Sequence, residues 1–115
     1  MRLSEQQIKF LKMVTQLLNH FIPIIEAMDM GIKVTEWNRT IEQQKQYVAE
    51  GSSKTLHSKH LIGLAVDLAI IDNGKFLRKH QIYEKMGAYW ESLGGTWGGR
   101  WTFGDVYHFE YGEDK

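Results

Sequence analysis

At 115 residues the chain has room for one domain and no second. An apolar fraction of 43%, with four Trp, five Tyr and five Phe, is enough to build a packed core and excludes a disordered chain. Fourteen basic residues balance fourteen acidic ones, which argues against a basic nucleic-acid footprint; the lack of cysteine excludes disulfides and thiolate metal sites, so any metal must be held by His, Asp or Glu.

Ser4 followed by Gln7 reads as a capping box opening a helix, with apolar residues at Ile8, Leu11, Val14, Leu17, Leu18 and Phe21. Pro23, the single proline, should kink or restart that helix, which then runs to about Asp29. Ile32–Trp37 alternates as a short strand. Thr40 with Gln43 forms a second capping box, and Gly51 closes the helix it opens. A polar loop through His57 follows. Leu64–Ile71 alternates as a strand, and Asp72-Asn73-Gly74 signals a tight turn after it. Arg78–Leu93 fits a helix burying Ile82, Met86, Tyr89 or Trp90, and Leu93, ended by Gly94-Gly95. The Gly- and Trp-rich loop TWGGRWTFGD leads into VYHFEY, a last alternating strand. The expected class is α+β: a small, mainly antiparallel sheet with helices packed against it. The N-terminus has no apolar h-region or small-residue cleavage site, and no apolar run is long enough to span a membrane. Taken alone, this predicts a soluble chain made in the cytoplasm.

Residues two apart in a strand share a face, so Asp67 lies between Ala65 and Ala69, whose small side chains leave space above the sheet. In the last strand His108 shares a face with Val106 and Glu110. If the two strands are neighbours, Asp67 and His108 converge, and His60, just before Gly63, can join them. Two imidazoles and one carboxylate with a fourth position open to water are what a catalytic zinc site requires, and the small number of oxygens disfavours calcium or magnesium. Asp105, three residues before His108, is placed to reach a metal-bound water without being a ligand. Each residue also has a plainer reading. Asp67 suits a strand edge and His108 a half-buried histidine, while Asp105 suits a turn in F-G-D. His20 and His80, at helix ends, read as solvent-facing.

The run Ser58-x-His60-x-x-Gly63-x-Ala65-Val66-Asp67 resembles the S-x-H-x-x-G-x-A-x-D motif of a zinc peptidase family. That family includes D-alanyl-D-alanine carboxypeptidases, vancomycin-resistance D,D-dipeptidases and phage L-alanyl-D-glutamate endopeptidases. Gly98-Gly99-Arg100-Trp101 and Asp105-x-x-His108 resemble its second motif, G-G-x-W followed by D/E-x-x-H, so the likeness runs from about Val34 to Tyr111. The resemblance implies a single zinc peptidase domain over residues 1–115, with zinc held on the sheet face by His60, Asp67 and His108. It implies Asp105 as general base and acid, Arg39 as the arginine that binds substrate and polarises the scissile carbonyl, and Ser58 and Trp101 as substrate contacts. The partner it implies is the peptidoglycan stem peptide, with no nucleic acid or membrane insertion and a monomeric enzyme. Within the family the chain looks most like a phage endolysin cutting L-alanyl-D-glutamate, held in the host cytoplasm until the membrane is permeabilised. Arg39, Lys59 and Arg100, in segments flanking the metal, suit an anionic peptide. The alternatives are a D-alanyl-D-alanine carboxypeptidase or dipeptidase of the same chemistry, and a hedgehog-like zinc module that binds without catalysis.

Overall fold

The computed structural model describes residues 1–37, 39–51 and 58–112; Asn38 and the segment 52–57, with His57, lie outside the described residues. Helix α1 spans Leu3–Ala27 and is capped by Arg2 with no side-chain bond, so the expected Ser4 capping box does not form. Its other half is committed elsewhere: the Gln7 side-chain amide donates to the Ile62 carbonyl at 2.8 Å. Nor does Pro23 interrupt the helix, which continues to Ala27. The missing N–H costs one helical bond, but Phe21 and Ile25 on either side are both buried and hold the turn in place.

The buried stripe of α1 is Phe10, Met13, Val14, Leu17, Phe21 and Ile25, whereas Ile8 and Leu11, expected in the core, are exposed. Both stripes have helical spacing. Phe10 decides between them, because its ring meets Trp37 and Trp90 edge-on at 6.4 and 5.8 Å.

Strand β1 (Gly31–Glu36) is followed by α2 (Ile41–Ala49), where Thr40 and Gln43 form the expected reciprocal capping box. Strand β2 (Ala65–Asp72) turns through Asn73 (φ 51°) and Gly74 (φ 78°) into β3 (Lys75–Phe76). Two successive positive φ values suit a two-residue hairpin, and Asn-Gly adopts them at little cost. Helix α3 (Gln81–Ser92) starts three residues later than predicted and buries Ile82, Tyr83, Met86 and Trp90. Its cap is His80, whose Nδ1 accepts the Ile82 N–H at 3.0 Å, so this histidine has a structural task and does not merely face solvent. Strands β4 (Thr96–Trp97) and β5 (His108–Glu110) complete an antiparallel sheet of order β1-β2-β5-β4, with β3 paired to the far end of β2.

Between β5 and β3 one stretch of the β2 edge has no strand of the described residues beside it. The Tyr83 hydroxyl fills that gap, accepting the Ile70 N–H at 2.8 Å and donating to the Leu77 carbonyl at 2.7 Å. Two backbone groups that would otherwise be stranded are thereby satisfied. Helices α1 and α3 cover the inner face, meeting Val66, Leu68, Ile70 and Phe109. The other face, with Ala65, Asp67 and Ala69, is left for the site.

Candidate metal centre

Asp67 and His108 are direct partners in the β2–β5 register, which confirms the adjacency on which their convergence depended. His60 comes from a 3-10 turn, Lys59–Ile62, capped by the Ser58 hydroxyl, which accepts the His60 N–H at 3.2 Å. Gly63 (φ 69°) ends that turn in the left-handed region and sends the chain into β2. The Asp67 Oδ1 then lies 3.3 Å from His60 Nε2 and 3.1 Å from His108 Nδ1. Ligand atoms of all three residues lie within 4.8 Å of one another.

The outer nitrogens show which atoms face inward. His60 Nδ1 lies 3.2 Å from the Trp37 carbonyl, which can only accept, so Nδ1 carries the proton and Nε2 is left as a lone pair. That Nε2 is buried and has no hydrogen-bond partner among the described residues. His108 is held the other way round, with Nε2 2.8 Å from Glu110 Oε1, so its Nδ1 faces the cluster. The His60 lone pair, His108 Nδ1 and a carboxylate oxygen thus converge on one point, an arrangement that a proton or a metal cation must hold together. The burial of Asp67 opposes its ionisation, but its hydrogen bond to His108 and the neighbouring His60 imidazole outweigh it and hold the carboxyl well below the usual carboxylate range. Burial would lower His108, yet Asp67 and Glu110 push it up to about 9. Both shifts mean that positive charge is favoured at this point.

The donor set fits zinc. Bonds of about 2.0–2.1 Å at tetrahedral angles place neighbouring ligand atoms about 3.3 Å apart, close to the 3.1 and 3.3 Å found here. The outward bonds to Glu110 and Trp37 are the contacts that orient metal-bound imidazoles.

Asp105 stands beside the cluster and outside it. Its Oδ1 accepts the Tyr107 N–H at 3.2 Å, its N–H donates to the Gly98 carbonyl at 2.9 Å, and its own carbonyl accepts from the His108 N–H at 3.3 Å. Burial raises its pKa, and the negative charge of Asp67 raises it further. A carboxyl so placed holds a proton more readily than a surface aspartate, as a general acid–base group must; a metal cation nearby acts in the opposite direction.

The paired glycines before Trp101 have a packing reason. A Cβ on Gly98 would lie 2.6 Å from the Asp105 carbonyl oxygen and 3.0 Å from the His108 Cβ, while one on Gly99 would enter the Trp97 ring. Gly98→Ala must therefore move the backbone that carries both site residues. It should cost about 1–3 kcal/mol of stability, and zinc affinity should fall with it. Thermal melting and a zinc titration check this; a variant unchanged in both would mean that the contact is slack.

Arg39 is nearly buried, its Nε 2.7 Å from Glu36 Oε1 and its guanidinium 4.7 Å from the Tyr47 ring centroid. It also donates to Gln44 and, at 3.4 Å, to the Ser58 hydroxyl, which ties it to the turn bearing His60. Trp101 packs on His108, ring centroids 4.9 Å apart. The three cations do not form an unpaired positive rim: Arg39 meets Glu36, Lys59 lies 3.7 Å from Glu110, and Arg100 lies 3.1 Å from Glu91. The sequence shows the three cations, whereas the fold decides which carboxylates meet them. Glu36, Gln44 and the Trp37 carbonyl were missed from the sequence. Glu36 and Arg39 stood three apart as a visible signal, whereas Gln44 shows only once α2 is packed.

An α+β fold with a His-Asp-His cluster on its sheet face and a carboxylate beside it is the construction of a single-metal hydrolase site. The chain belongs to the D-alanyl-D-alanine carboxypeptidase family of peptidases, whose model matches residues 51–111. It is 34% identical over 92 residues to the L-alanyl-D-glutamate peptidase of Listeria phage A118, covering 75% of this chain and 32% of that protein. The chain thus spans about a third of that relative's length. Among solved structures it resembles the Serratia marcescens L-Ala D-Glu endopeptidase ChiX, with TM-score 0.61 and 31% identity over 72% of this chain and 68% of the other. The vancomycin-resistance D,D-pentapeptidase VanY, solved with Zn(II), has TM-score 0.53 and 20% identity over 85% and 70% of the two chains, a likeness of fold.

Proposed function

We propose that this protein is a zinc peptidase that hydrolyses the peptide stem of bacterial peptidoglycan at the L-alanyl-D-glutamate bond. The observation that carries the metal chemistry is the convergence of His60 Nε2, His108 Nδ1 and Asp67 Oδ1, with His60 Nε2 buried and without a hydrogen-bond partner among the described residues. Zinc held there by His60, Asp67 and His108 would supply Lewis acidity and lower the pKa of water to about 7. Asp105 takes a proton from the attacking water and returns it to the departing amine. Arg39, held in place by Glu36 and Gln44, hydrogen-bonds the substrate carbonyl as charge builds on it. Ser58 holds the His60 turn and touches Arg39, and Trp101 forms a wall of the cleft against His108. The choice of bond is supported by two relatives above 30% identity that are described as L-alanyl-D-glutamate enzymes. We further propose that the enzyme acts as a monomer and is held in the host cytoplasm until the membrane is permeabilised. No helix among the described residues is long and apolar enough to cross a membrane.

Purified peptidoglycan treated with the zinc-loaded protein should release stem peptides that lack L-alanine, with free D-Ala-D-Ala left intact. A chelator should stop the digestion and added zinc restore it. Mass spectrometry of the products decides the bond. Loss of terminal D-alanine alone would establish the carboxypeptidase reading, which the description of the matched family favours. Zinc binding without any cleavage would leave a binding module.

A further inference from the structure

A groove of about 830 Å³ starts at Asp105 and leads away from the metal cluster along the sheet face. Its floor is Ala69, the next residue after Asp67 on that face, and its sides include Thr35, Phe103 and Tyr107. Beyond Ala69 the same face continues to Ile71, whose partner across the hairpin is Phe76, and there the groove ends at Phe76 and Arg78. Phe76 and Phe103 are 54% and 64% exposed, an unusual amount of aromatic surface to leave open at two sides of one depression. Lys33 sets its ammonium 5.9 Å from the Phe76 ring centroid, adding positive charge at that end.

Arg78 differs from the other cations near the site. Arg39, Lys59 and Arg100 each face a carboxylate within 4 Å, whereas Arg78 makes no ion pair or hydrogen bond with any described residue. The charged side chains lining the groove are therefore Asp105 at the catalytic end and Arg78 at the other. A strand rises about 3.3 Å per residue, so the four steps from Asp67 to Ile71 cover roughly 13 Å, the reach of about four residues of extended peptide.

We infer that this groove holds the stem peptide on one side of the scissile bond, and that Arg78 is a specificity-determining residue binding a substrate carboxylate three to four residues from the cut. The inference rests on the proposed peptidoglycan peptidase activity. It explains how an anionic stem is selected although the cations nearer the metal are already paired. The aromatic sides grip the peptide's apolar atoms, and Arg78 fixes its register relative to Asp105.

The test uses the full zinc-loaded chain and soluble muropeptides, with the carboxylate distal to the cut either free or amidated. Arg78→Gln should raise KM for the free-carboxylate substrate by about three- to tenfold, the worth of a partly exposed charge pair. Values of kcat and zinc content should stay within about twofold of wild type. Arg78→Lys should recover part of the loss, and Arg78→Glu should deepen it. Amidation should impair the wild type and leave Arg78→Gln unaffected, a difference that a purely structural role for Arg78 would not produce. Equal KM values for wild type and Arg78→Gln, or the same amidation penalty in both, overturn the inference while leaving the peptidase reading intact. A wild type that cleaves no muropeptide overturns both.

Discussion

Asp105→Asn is expected to lower peptidase activity by about two to four orders of magnitude, the usual worth of general acid–base catalysis, with zinc still bound. The substitution is nearly isosteric, and the side-chain oxygen of Asn can still accept the Tyr107 N–H that now bonds Asp105. The backbone bonds from Asp105 to Gly98 and from His108 to Asp105 do not involve the side chain, so His108 should keep its place. What disappears is the proton acceptor. Zinc content, by elemental analysis, should match wild type while turnover of muropeptides collapses. An Asn variant that stays active, or one that has released its zinc, would remove Asp105 from the role assigned to it.

Zinc binding should fail in His60→Ala and in His108→Ala. Each change leaves two ligands of three and frees an orienting partner, the Trp37 carbonyl in one case and Glu110 in the other. Changing an orienting partner alone typically costs 10–100-fold in metal affinity, and the loss of a ligand should exceed about 100-fold. A second readout is independent of activity. Zinc at about 1,000 times its Kd stabilises a folded protein by about 4 kcal/mol, so it should raise the melting temperature of the metal-free wild type and barely move either variant. Full zinc occupancy in both variants would end the assignment of these residues as ligands.

The side-chain cluster of this chain was largely foreshadowed in its primary structure. Strand alternation placed Asp67 between two alanines and His108 beside Glu110, and that local rule needed only the β2–β5 pairing to bring them together. Thr40 with Gln43, and Asn73 with Gly74, were equally local and both were realised. Periodicity could not choose between the two apolar stripes of α1, because each satisfies the helical repeat. Phe10 won over Ile8 and Leu11 through Trp37 and Trp90, which lie far along the chain. Gln7 left a plausible capping box for the Ile62 carbonyl for the same reason: a distant backbone acceptor near the site claimed its side chain.

Within the site the division is similar. That His60, Asp67 and His108 would gather as a cluster was legible, since residue type and spacing are properties of the chain. Which nitrogen of each histidine faces inward was decided by the Trp37 carbonyl and Glu110, and the pairing of Lys59 and Arg100 by Glu110 and Glu91. The groove toward Arg78 exists only because the β2–β3 hairpin carries Phe76 back beside Ile71. Local spacing determines which groups a strand or helix can present. Contacts between segments remote in sequence determine which groups meet and which charges are already neutralised.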